Sequence, residues 1–260
     1  MVKHTFQGGV SVANLRGPAY NPPISSQAQN NGAAGWVDKE GFVMDYAAAR
    51  NLMVEAQLRT NKVTHPGVLD AMRSVPRELF APKSRREFAY VDEDIEVEPG
   101  RYLMEPMVLG RLLDSAQPKS DDLALVVSAA PGYAAAVLGR VTATVFAQEN
   151  DPAMAKRMAD LLHELQLDNV VVVDGAAREG RPAEAPFDLI LVPGSVPDVP
   201  ASLTDQLAEN GRLVTVVQEN EAIGRAVLYL KRGGTVSRRV LFDATVGKAP
   251  GFERVPGFVF

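Results

Sequence analysis

The 260-residue sequence contains no cysteine, which excludes disulfide bonds, thiolate catalysis and cysteine-based metal sites. Its three histidines, His4, His65 and His163, are too scattered to give a metal-binding spacing. Basic residues are outnumbered by acidic ones, 27 to 32, so the net charge of −5 argues against a protein held on nucleic acid by phosphate contacts. We therefore expect neither a structural metal nor a nucleic-acid partner.

Apolar runs of membrane length are also lacking. The nearest candidate, residues 123–139, falls short of the about 20 residues that a membrane helix needs, and Pro131 and Gly132 interrupt it. The N-terminus has no basic segment followed by an apolar stretch, so we expect no signal peptide. These features predict a cytoplasmic protein that does not span a membrane. They are compatible with peripheral docking on the cytoplasmic face of a membrane complex.

Residues 1–43 differ from the rest of the chain. They are rich in Gly, Pro, Asn and Ser clusters and show no sustained apolar period, which predicts an irregular N-terminal arm. One interpretation is a disordered tail. The other is an extended arm that orders on a partner protein, because apolar anchors from Phe6 to Phe42 are spaced along it.

From Asp45 onward, apolar periodicity predicts an alternation of helices and strands. Helices are predicted at 45–60, 65–74, 101–116, 132–139, 151–166 and 199–209. Strands are predicted at 123–128, 141–147, 169–173, 187–192 and 212–217. The acidic residues 92–99 are predicted as a solvated loop, with a cation-binding or basic-partner surface as the alternative. The turn at 232–235 predicts a final hairpin, so the fold is α/β with a mostly parallel sheet.

The sequence LALVVSAAPGYAAAVLG at 123–139 is typical of the first unit of a nucleotide-binding α/β domain. A short apolar strand leads into the small-residue turn 128–132, and a buried helix follows. Such turns normally bring the backbone close to a phosphate or cofactor, and glycines make that approach possible. This turn has the expected length, but Gly132 is its only glycine.

Six stretches together resemble the protein-L-isoaspartate O-methyltransferases, which are class I methyltransferases that use S-adenosylmethionine. The stretches are MVEAQL at 53–58, VLDAMRSVPRELFAP at 68–82, AYVDED at 89–94, APGYAAAVL at 130–138, EAPFDLILV at 184–192 and NGRLVTVV at 210–217. The resemblance implies a Rossmann-like fold with a seven-stranded, mostly parallel sheet and an antiparallel C-terminal hairpin strand. It also implies three regions: an N-terminal arm at 1–43, a helical lead-in at 44–117 and a Rossmann-like sheet at 118–260, the last two forming one methyltransferase-like domain, 44–260.

The resemblance assigns cofactor contacts to particular positions of this chain. The family's first-strand acid falls on Val126, and its turn glycines fall on Ser128, Ala130 and Gly132, so only Gly132 is retained. The acid that holds the ribose hydroxyls in the family matches Glu149. An exposed carboxylate next to a helix cap is the alternative interpretation of Glu149.

The family's adenine-binding Gly-Asp pair falls on Gly175-Ala176, where the acid is missing. Asp174 is adjacent and could substitute for it, or it could simply be a loop residue that ends a strand. The vestigial cofactor-binding set implied by the resemblance is therefore Gly132, Glu149, Asp174 and Gly175. On the substrate side, the family's Thr-Ile-Ser run before Gln-Pro falls on residues 102–104, Tyr-Leu-Met, before Glu105-Pro106.

These departures predict a protein-L-isoaspartate O-methyltransferase-like protein that is catalytically silent and binds no S-adenosylmethionine. We expect an accessory or structural subunit of a multi-subunit assembly, bound through residues 1–43, with a respiratory membrane complex as one candidate. No catalytic residue is assigned. The alternative is an active S-adenosylmethionine-dependent protein-L-isoaspartate carboxyl methyltransferase that repairs proteins. A third hypothesis is a sensor that still binds an adenosyl ligand through Gly132 and Glu149.

Overall fold

The structure, a computed structural model, describes residues 44–219 and 223–253, so the predicted arm at 1–43 lies outside the described residues. The α-helices are α1 Tyr46–Leu52, α2 Pro66–Ser74, α3 Pro106–Ala116, α4 Tyr133–Gly139, α5 Pro152–Glu164 and α6 Ala201–Asp205. The strands are β1 Ile95–Glu98, β2 Arg101–Leu103, β3 Leu123–Val127, β4 Thr144–Gln148, β5 Val170–Val173, β6 Phe187–Val196, β7 Leu207–Val217, β8 Arg225–Arg232 and β9 Thr235–Asp243. A π-helical turn, Met53–Leu58, extends α1, and two 3₁₀ turns, Arg77–Phe80 and Lys83–Phe88, follow α2.

Short polar side chains begin two of these helices as the sequence predicts. Asp45 caps α1 by accepting a hydrogen bond from the Ala48 backbone N–H at 2.9 Å. Asp151 caps α5 by accepting from the N–H groups of Ala153 and Met154, both at 2.9 Å. Each cap satisfies N–H groups that the first helical turn leaves free, which typically stabilises a helix by about 1 kcal/mol.

Seven strands form one twisted sheet in the order β5-β4-β3-β6-β7-β8-β9. The first five strands in that order run parallel, β8 is antiparallel to β7, and β9 is antiparallel to β8. The mostly parallel sheet with a C-terminal hairpin is therefore confirmed. The reversed strand is β8, inside the sheet, and the last strand β9 returns to the common direction.

The central strand β3 is buried on both faces, which explains its uncharged sequence. Val126 belongs to the core under α1 to α5, while its neighbours Leu125 and Val127 belong to a second core that includes Leu203 of α6. Alternate side chains of a strand point to opposite faces, so one apolar run supplies both layers. The carboxyl end of β3, where the small-residue turn begins, thus lies at the middle of the sheet edge.

The acidic segment 92–99 is not simply a solvated loop. Ile95–Glu98 pairs with Arg101–Leu103 as a short antiparallel hairpin, and the helix predicted from Arg101 begins instead at Pro106. Pro99 and Gly100 form the hairpin turn, with Gly100 at a φ of +74° that favours glycine. The hairpin forms because Ile95 and Leu103 are both buried against the core of the lead-in.

A second difference lies between residues 199 and 217. The helix predicted at 199–209 is only Ala201–Asp205, and β7 starts at Leu207, before the predicted stop at Gly211. The pairing register of β6 and β7 shifts between Phe187 and Leu189. This irregularity accommodates Asn210, whose φ is +64°. Strand β7 therefore continues through Asn210 and Gly211, where the sequence predicted the end of a helix.

Membrane helices and metal-ligand clusters are both lacking from the described ranges. Within 44–219 and 223–253, no helix is long and apolar enough to cross a membrane. The same residues contain no group of three or more His, Asp or Glu side chains arranged to hold a metal ion.

Candidate functional site

The turn after β3 keeps the backbone path of a glycine-rich loop with other residues. Ser128 has a φ of +54°, a left-handed conformation that glycine adopts most easily. Its hydroxyl donates a hydrogen bond to the carbonyl of Pro250 at 2.6 Å, which helps to hold this conformation. Val126, at the position of the family acid, is fully buried and pairs with Ala147 and Leu191 of the neighbouring strands.

Gly132 is retained at a position where both the backbone and the packing require glycine. It precedes α4 with a φ of +108°. A Cβ atom there would lie 2.7 Å from the Met158 Cγ and 3.5 Å from the Phe80 ring. The side of Gly132 that a side chain would occupy is therefore covered by the core, and a glycine at this position needs no ligand to explain it.

We expect Gly132→Ala to lower the free energy of unfolding by about 2–3 kcal/mol. The left-handed backbone costs a non-glycine residue about 1–2 kcal/mol, and the clash with Met158 adds to it. Gly233→Ala is the matched control, because Gly233 also has a positive φ, +56°, but a Cβ atom there would have no other atom within 4 Å. Urea denaturation should show a loss of only about 1 kcal/mol for the control. Equal losses for both variants would contradict the packing argument.

Glu149 follows β4 and is the central charged group of this edge. Its backbone N–H donates to the Val173 carbonyl at 3.0 Å, which brings it beside the end of β5. Its side chain is fully buried. Arg101 of β2 approaches both carboxylate oxygens, Nη1 to Oε2 at 2.8 Å and Nη2 to Oε1 at 2.8 Å. Glu149 thus lies at the carboxyl end of β4 with an arginine as its principal partner, and its burial contradicts the alternative interpretation of an exposed carboxylate.

Two backbone N–H groups complete the surroundings of Glu149. Ala130, in the turn, donates to Oε2 at 3.3 Å, and Asp151 donates to Oε1 at 3.0 Å. A carboxylate offers about four lone-pair positions, and here each oxygen receives two donors. The carboxylate has no acceptor position left for ribose hydroxyls in this arrangement.

The loop after β5 contains the other two predicted contacts, Asp174 and Gly175. Gly175 approaches Gln148 so closely that a Cβ would lie 2.6 Å from the Gln148 Nε2. That amide donates to the carbonyls of Ala176, at 2.9 Å, and Gly180, at 3.3 Å. Asp174 is exposed, and its carbonyl accepts from Arg181 at 3.0 Å. Gly175 is therefore required by its packing against Gln148, while Asp174 is exposed to solvent.

Little space remains beside the turn. A cavity of about 10 Å³ lies there, lined by Ala129, Ala130, Pro131, Tyr133, Ala134, Tyr102, Leu103, Met104, Leu109 and Pro193. This volume holds at most one water molecule, whereas small-molecule sites usually measure about 300–1,000 Å³. A larger cavity of about 380 Å³ lies between Phe80 and Met158, on the α5 side of the turn. Its lining contains neither Glu149 nor the loop after β5, so it is not the predicted cofactor site.

A segment that we name the strap, residues 244–252, runs across the carboxyl edge of the sheet. Ser195, at the end of β6, binds it through its N–H to the Gly247 carbonyl and through its carbonyl to the Ala249 N–H, both at 2.8 Å. Pro250 accepts from Ser128, and the carbonyl of Phe252 accepts from Arg178 at 3.3 Å. The strap thereby joins the turn, the end of β6 and the loop after β5. Ligands of open α/β sheets normally bind at this edge.

The acidic residues before α3 have structural partners. Asp94 accepts from the Glu105 N–H at 2.7 Å and from the Gly247 N–H, and Asp92 accepts from the Met107 N–H at 3.0 Å. They cap the start of α3 and tie it to the strap. Burial, together with the nearby charges of Asp92 and Asp94, raises the pKa of Glu105 to about 7.

Glu105→Gln should remove a loss of stability that occurs as the pH rises. Because the pKa of Glu105 is raised in the folded state, the native protein binds more protons than the unfolded chain between about pH 4.5 and 7, and its stability falls across that window. We expect the variant to be about 1 kcal/mol more stable at pH 8 after solvent screening is allowed for, and unchanged at pH 4.5. Urea midpoints at both pH values measure this. Glu164→Gln, at an exposed position, should shift neither, and a pH-independent effect of Glu105→Gln would contradict the explanation.

Sequence reasoning missed two arginines that shape this region, Arg101 and Arg77. Arg77 is fully buried, donates to the carbonyls of Ala89 at 2.6 Å and Met104 at 2.8 Å, and lies 4.9 Å from the Tyr133 ring centre. It sits in the VPRELF stretch that carried the resemblance, so a signal existed for it. Nothing in the sequence pairs Arg101 with Glu149, because they are 48 residues apart and meet only through the β1–β2 hairpin.

Six strands of the sheet run in one direction and β8 is reversed. The small-residue turn after β3 contacts an acid at the end of β4. Together these features define a class I methyltransferase architecture. The sequence profile of the Protein-L-isoaspartate(D-aspartate) O-methyltransferase (PCMT) family matches residues 48–245. The chain therefore belongs to this family, whose members use S-adenosylmethionine.

Curated relatives agree with this assignment. The protein-L-isoaspartate O-methyltransferase of Roseiflexus sp. (strain RS-1) is 38% identical over 195 residues, which cover 75% of this chain and 88% of the relative. The protein of the same name from Koribacter versatilis (strain Ellin345) is 36% identical over 206 residues, covering 79% and 90%.

Solved structures show the same fold. One protein-L-isoaspartate O-methyltransferase superposes with a TM-score of 0.69 at 21% identity, covering 78% of this chain and 67% of that one. A Plasmodium falciparum protein assigned to the family, in complex with S-adenosyl-L-homocysteine, gives a TM-score of 0.64 at 19% identity and covers 78% and 98%.

The residues of this chain, as they are arranged here, do not fit the adenosyl cofactor of the family. Val126 offers no charge at the position of the family acid, Arg101 fills the acceptor positions of Glu149, and the cavity beside the turn is about 10 Å³. We therefore derive no methyl-transfer step from this geometry.

Proposed function

We propose that this chain is a catalytically silent member of the protein-L-isoaspartate O-methyltransferase family that acts as an accessory subunit of a larger protein assembly. The observation that carries the proposal is the buried ion pair of Arg101 and Glu149, in which the carboxylate expected to hold ribose is fully satisfied by protein donors. A buried charge pair of this kind is costly to separate, so ligand binding would have to offset its loss.

Other features of the same edge support the proposal. The strap crosses the edge where the cofactor would bind, and Ser128 uses its hydroxyl to hold the strap. Gly132 and Gly175, the two retained glycines, both have packing reasons for being glycine. Three of the four positions expected to keep a vestigial cofactor role, Gly132, Glu149 and Gly175, thus have structural reasons for their residues, whereas the Asp174 side chain is exposed.

Calorimetric titration with S-adenosylmethionine and S-adenosylhomocysteine tests the silent site. We expect no binding below millimolar ligand and no methyl transfer to an isoaspartyl peptide, with the Roseiflexus relative measured alongside as the positive control. Micromolar binding together with methyl transfer would establish the alternative, an active protein-L-isoaspartate carboxyl methyltransferase. Micromolar binding without transfer would favour an adenosyl-ligand sensor that uses Gly132 and Glu149.

The active alternative has its own support. This chain matches most of the length of its curated relatives, at 34–38% identity. Glu149 also lies at the end of the second parallel strand in sequence, where the family's ribose-binding acid is expected. For an active enzyme, Arg101 would have to leave Glu149 and the turn would have to open. Binding of S-adenosylhomocysteine should then release Arg101, which a fluorescent label on the β1–β2 hairpin would detect.

The accessory role assigns partner binding to residues 1–43. A segment of 43 residues could reach across a large partner surface, so we propose an assembly with a large cytoplasmic face. A respiratory membrane complex is one candidate. Affinity purification of the full chain and of a variant lacking residues 1–43 tests this part. We expect the truncated chain to fold, as judged by its melting temperature, and to lose its partners. Equal partner recovery from both chains would refute binding through the arm.

A further inference from the structure

One face of the β8–β9 hairpin carries a row of side chains that extends from the buried core on the α6 side of the sheet towards the hairpin turn. The register pairs Val227 with Val240, Tyr229 with Arg238, and Lys231 with Val236. Directly opposed residues of an antiparallel pair point to the same side, and so do alternate residues of one strand. Val227 is fully buried in the core that contains Leu203 of α6, so the whole row lies on the α6 side of the sheet.

The outer end of this row is only partly covered by the residues that the structure describes. Tyr229, Lys231 and Val236 are half-buried, Arg238 is exposed, and Val240 is 47% exposed. We name these five residues the outer hairpin face. The helix on this side, α6, has only five residues, and in the described ranges no other helix follows β6 to extend the cover. β9 is also the last strand of the sheet in the part of the chain that the structure describes, so no described strand pairs with its outer main-chain groups.

The hairpin is strongly basic although the whole chain is acidic. The two strands and their turn, residues 225–243, contain five cations and one acidic residue, Asp243, which lies opposite Arg225, in a chain of net charge −5. Among residues 44–219 and 223–253, none of Arg225, Arg232, Arg238 and Arg239 forms an ion pair. The Nζ of Lys231 is anchored by donating to the Leu207 carbonyl at 2.8 Å. The hairpin therefore carries an excess of positive charge, and its guanidinium groups form no salt bridge within the described ranges.

We propose that the outer hairpin face is a docking surface for an acidic segment of a partner protein, one that carries apolar side chains between its carboxylates. The inference rests on the proposed accessory role and names the chemistry of the partner. Tyrosine and arginine are the side chains most enriched in protein interfaces, and guanidinium groups bind carboxylates through paired hydrogen bonds. Complementary charge would also speed and orient the encounter.

Edge arginines have another known use, since charge on an edge strand discourages aggregation. That use accounts for Arg239, whose side chain lies on the opposite face from Arg238. It leaves unexplained the half-buried Tyr229 and Val236 and the exposed Val240, because apolar groups beside an open edge favour association. Docking of a partner explains both the apolar row and its charge.

Photo-crosslinking tests the surface in the full-length chain. p-Benzoylphenylalanine is introduced at Val240, and in a control chain at Val171, which is 43% exposed on β5 at the opposite edge of the sheet. We expect a discrete crosslinked partner only from Val240. Mass spectrometry should locate the crosslink in a segment with excess Asp and Glu. Arg238→Glu combined with Arg239→Glu should lower the yield at least tenfold, whereas Lys83→Glu combined with Arg85→Glu, at exposed sites elsewhere, should leave it unchanged.

Several results would overturn the docking surface. The first is an equal crosslinking yield from Val240 and Val171, and the second is a crosslink to a basic segment or to nucleic acid. The third is an unchanged yield after the charge reversal, in a chain whose melting temperature is unaltered. These outcomes are independent of the cofactor titration. Binding of S-adenosylmethionine with methyl transfer would refute the silent role and leave the crosslink to be judged by itself, while a missing crosslink would leave the silent site standing.

Discussion

Glu149→Ala is expected to lower the free energy of unfolding by about 3–5 kcal/mol, because it leaves the Arg101 guanidinium, which is only 13% exposed, without a counter-charge. The N–H groups of Ala130 and Asp151 would also lose their acceptor. Chemical denaturation of the purified chain measures the change. An acid kept only to bind ribose would contribute little to stability, and its removal would cost far less.

A double-mutant cycle separates the ion pair from other effects of the substitution. Arg101→Leu combined with Glu149→Leu should cost clearly less than the two single changes together, because neither charge is then left unpaired. Glu179→Ala, which removes an exposed carboxylate, should change stability by less than about 0.5 kcal/mol. A loss below about 1 kcal/mol for Glu149→Ala would contradict the structural role of the pair.

Phe252→Ala should have an effect of similar size through the strap. The Phe252 side chain is 1% exposed and packs in the core on the α6 side of the sheet, so its truncation leaves a cavity that typically costs about 3–5 kcal/mol. Phe88→Ala is the control, since Phe88 is 51% exposed and its loss should cost less than about 1 kcal/mol.

Hydrogen exchange can show where the Phe252 substitution acts. With the anchor of the strap weakened, the amides of Ser195 and Ala249, which bind across the strap, should exchange faster than in the parent chain. Amides within α2, far from the strap in the chain and on the other face, should keep their protection. Uniform acceleration in both regions would mean that Phe252 stabilises the fold as a whole and that the strap is not a separate unit.

The core elements of the sheet were predictable because each is specified by local pattern. The apolar run of β3, the Asp45 and Asp151 caps and the Gly-Gly turn between β8 and β9 all act over a few residues, and the structure has each where the sequence indicates. The β1–β2 hairpin was missed because the acidic composition of residues 92–99 was interpreted as a solvated loop, although Ile95 and Val97 alternate with acidic residues as in a strand. The early end of α6 was missed because a positive φ at Asn210 allowed β7 to pass through a stop signal.

The candidate site was predicted only as a set of positions. The resemblance named Gly132, Glu149 and Gly175 as cofactor contacts, and in the structure all three follow the carboxyl ends of neighbouring strands. What fills that edge could not be predicted, because its occupants come from distant parts of the chain. Arg101 is 48 residues from Glu149, and Pro250 is 122 residues from Ser128.

By itself, the sequence determined the α/β class, the family and the turn with a single glycine, since these follow from apolar period, residue type and short stretches of similarity. Only the tertiary structure decided that the turn borders a closed site. Closure depends on which side chains meet at the carboxyl edge of the sheet. The Arg101–Glu149 ion pair is costly to separate because both charges are largely removed from water and stabilise each other there.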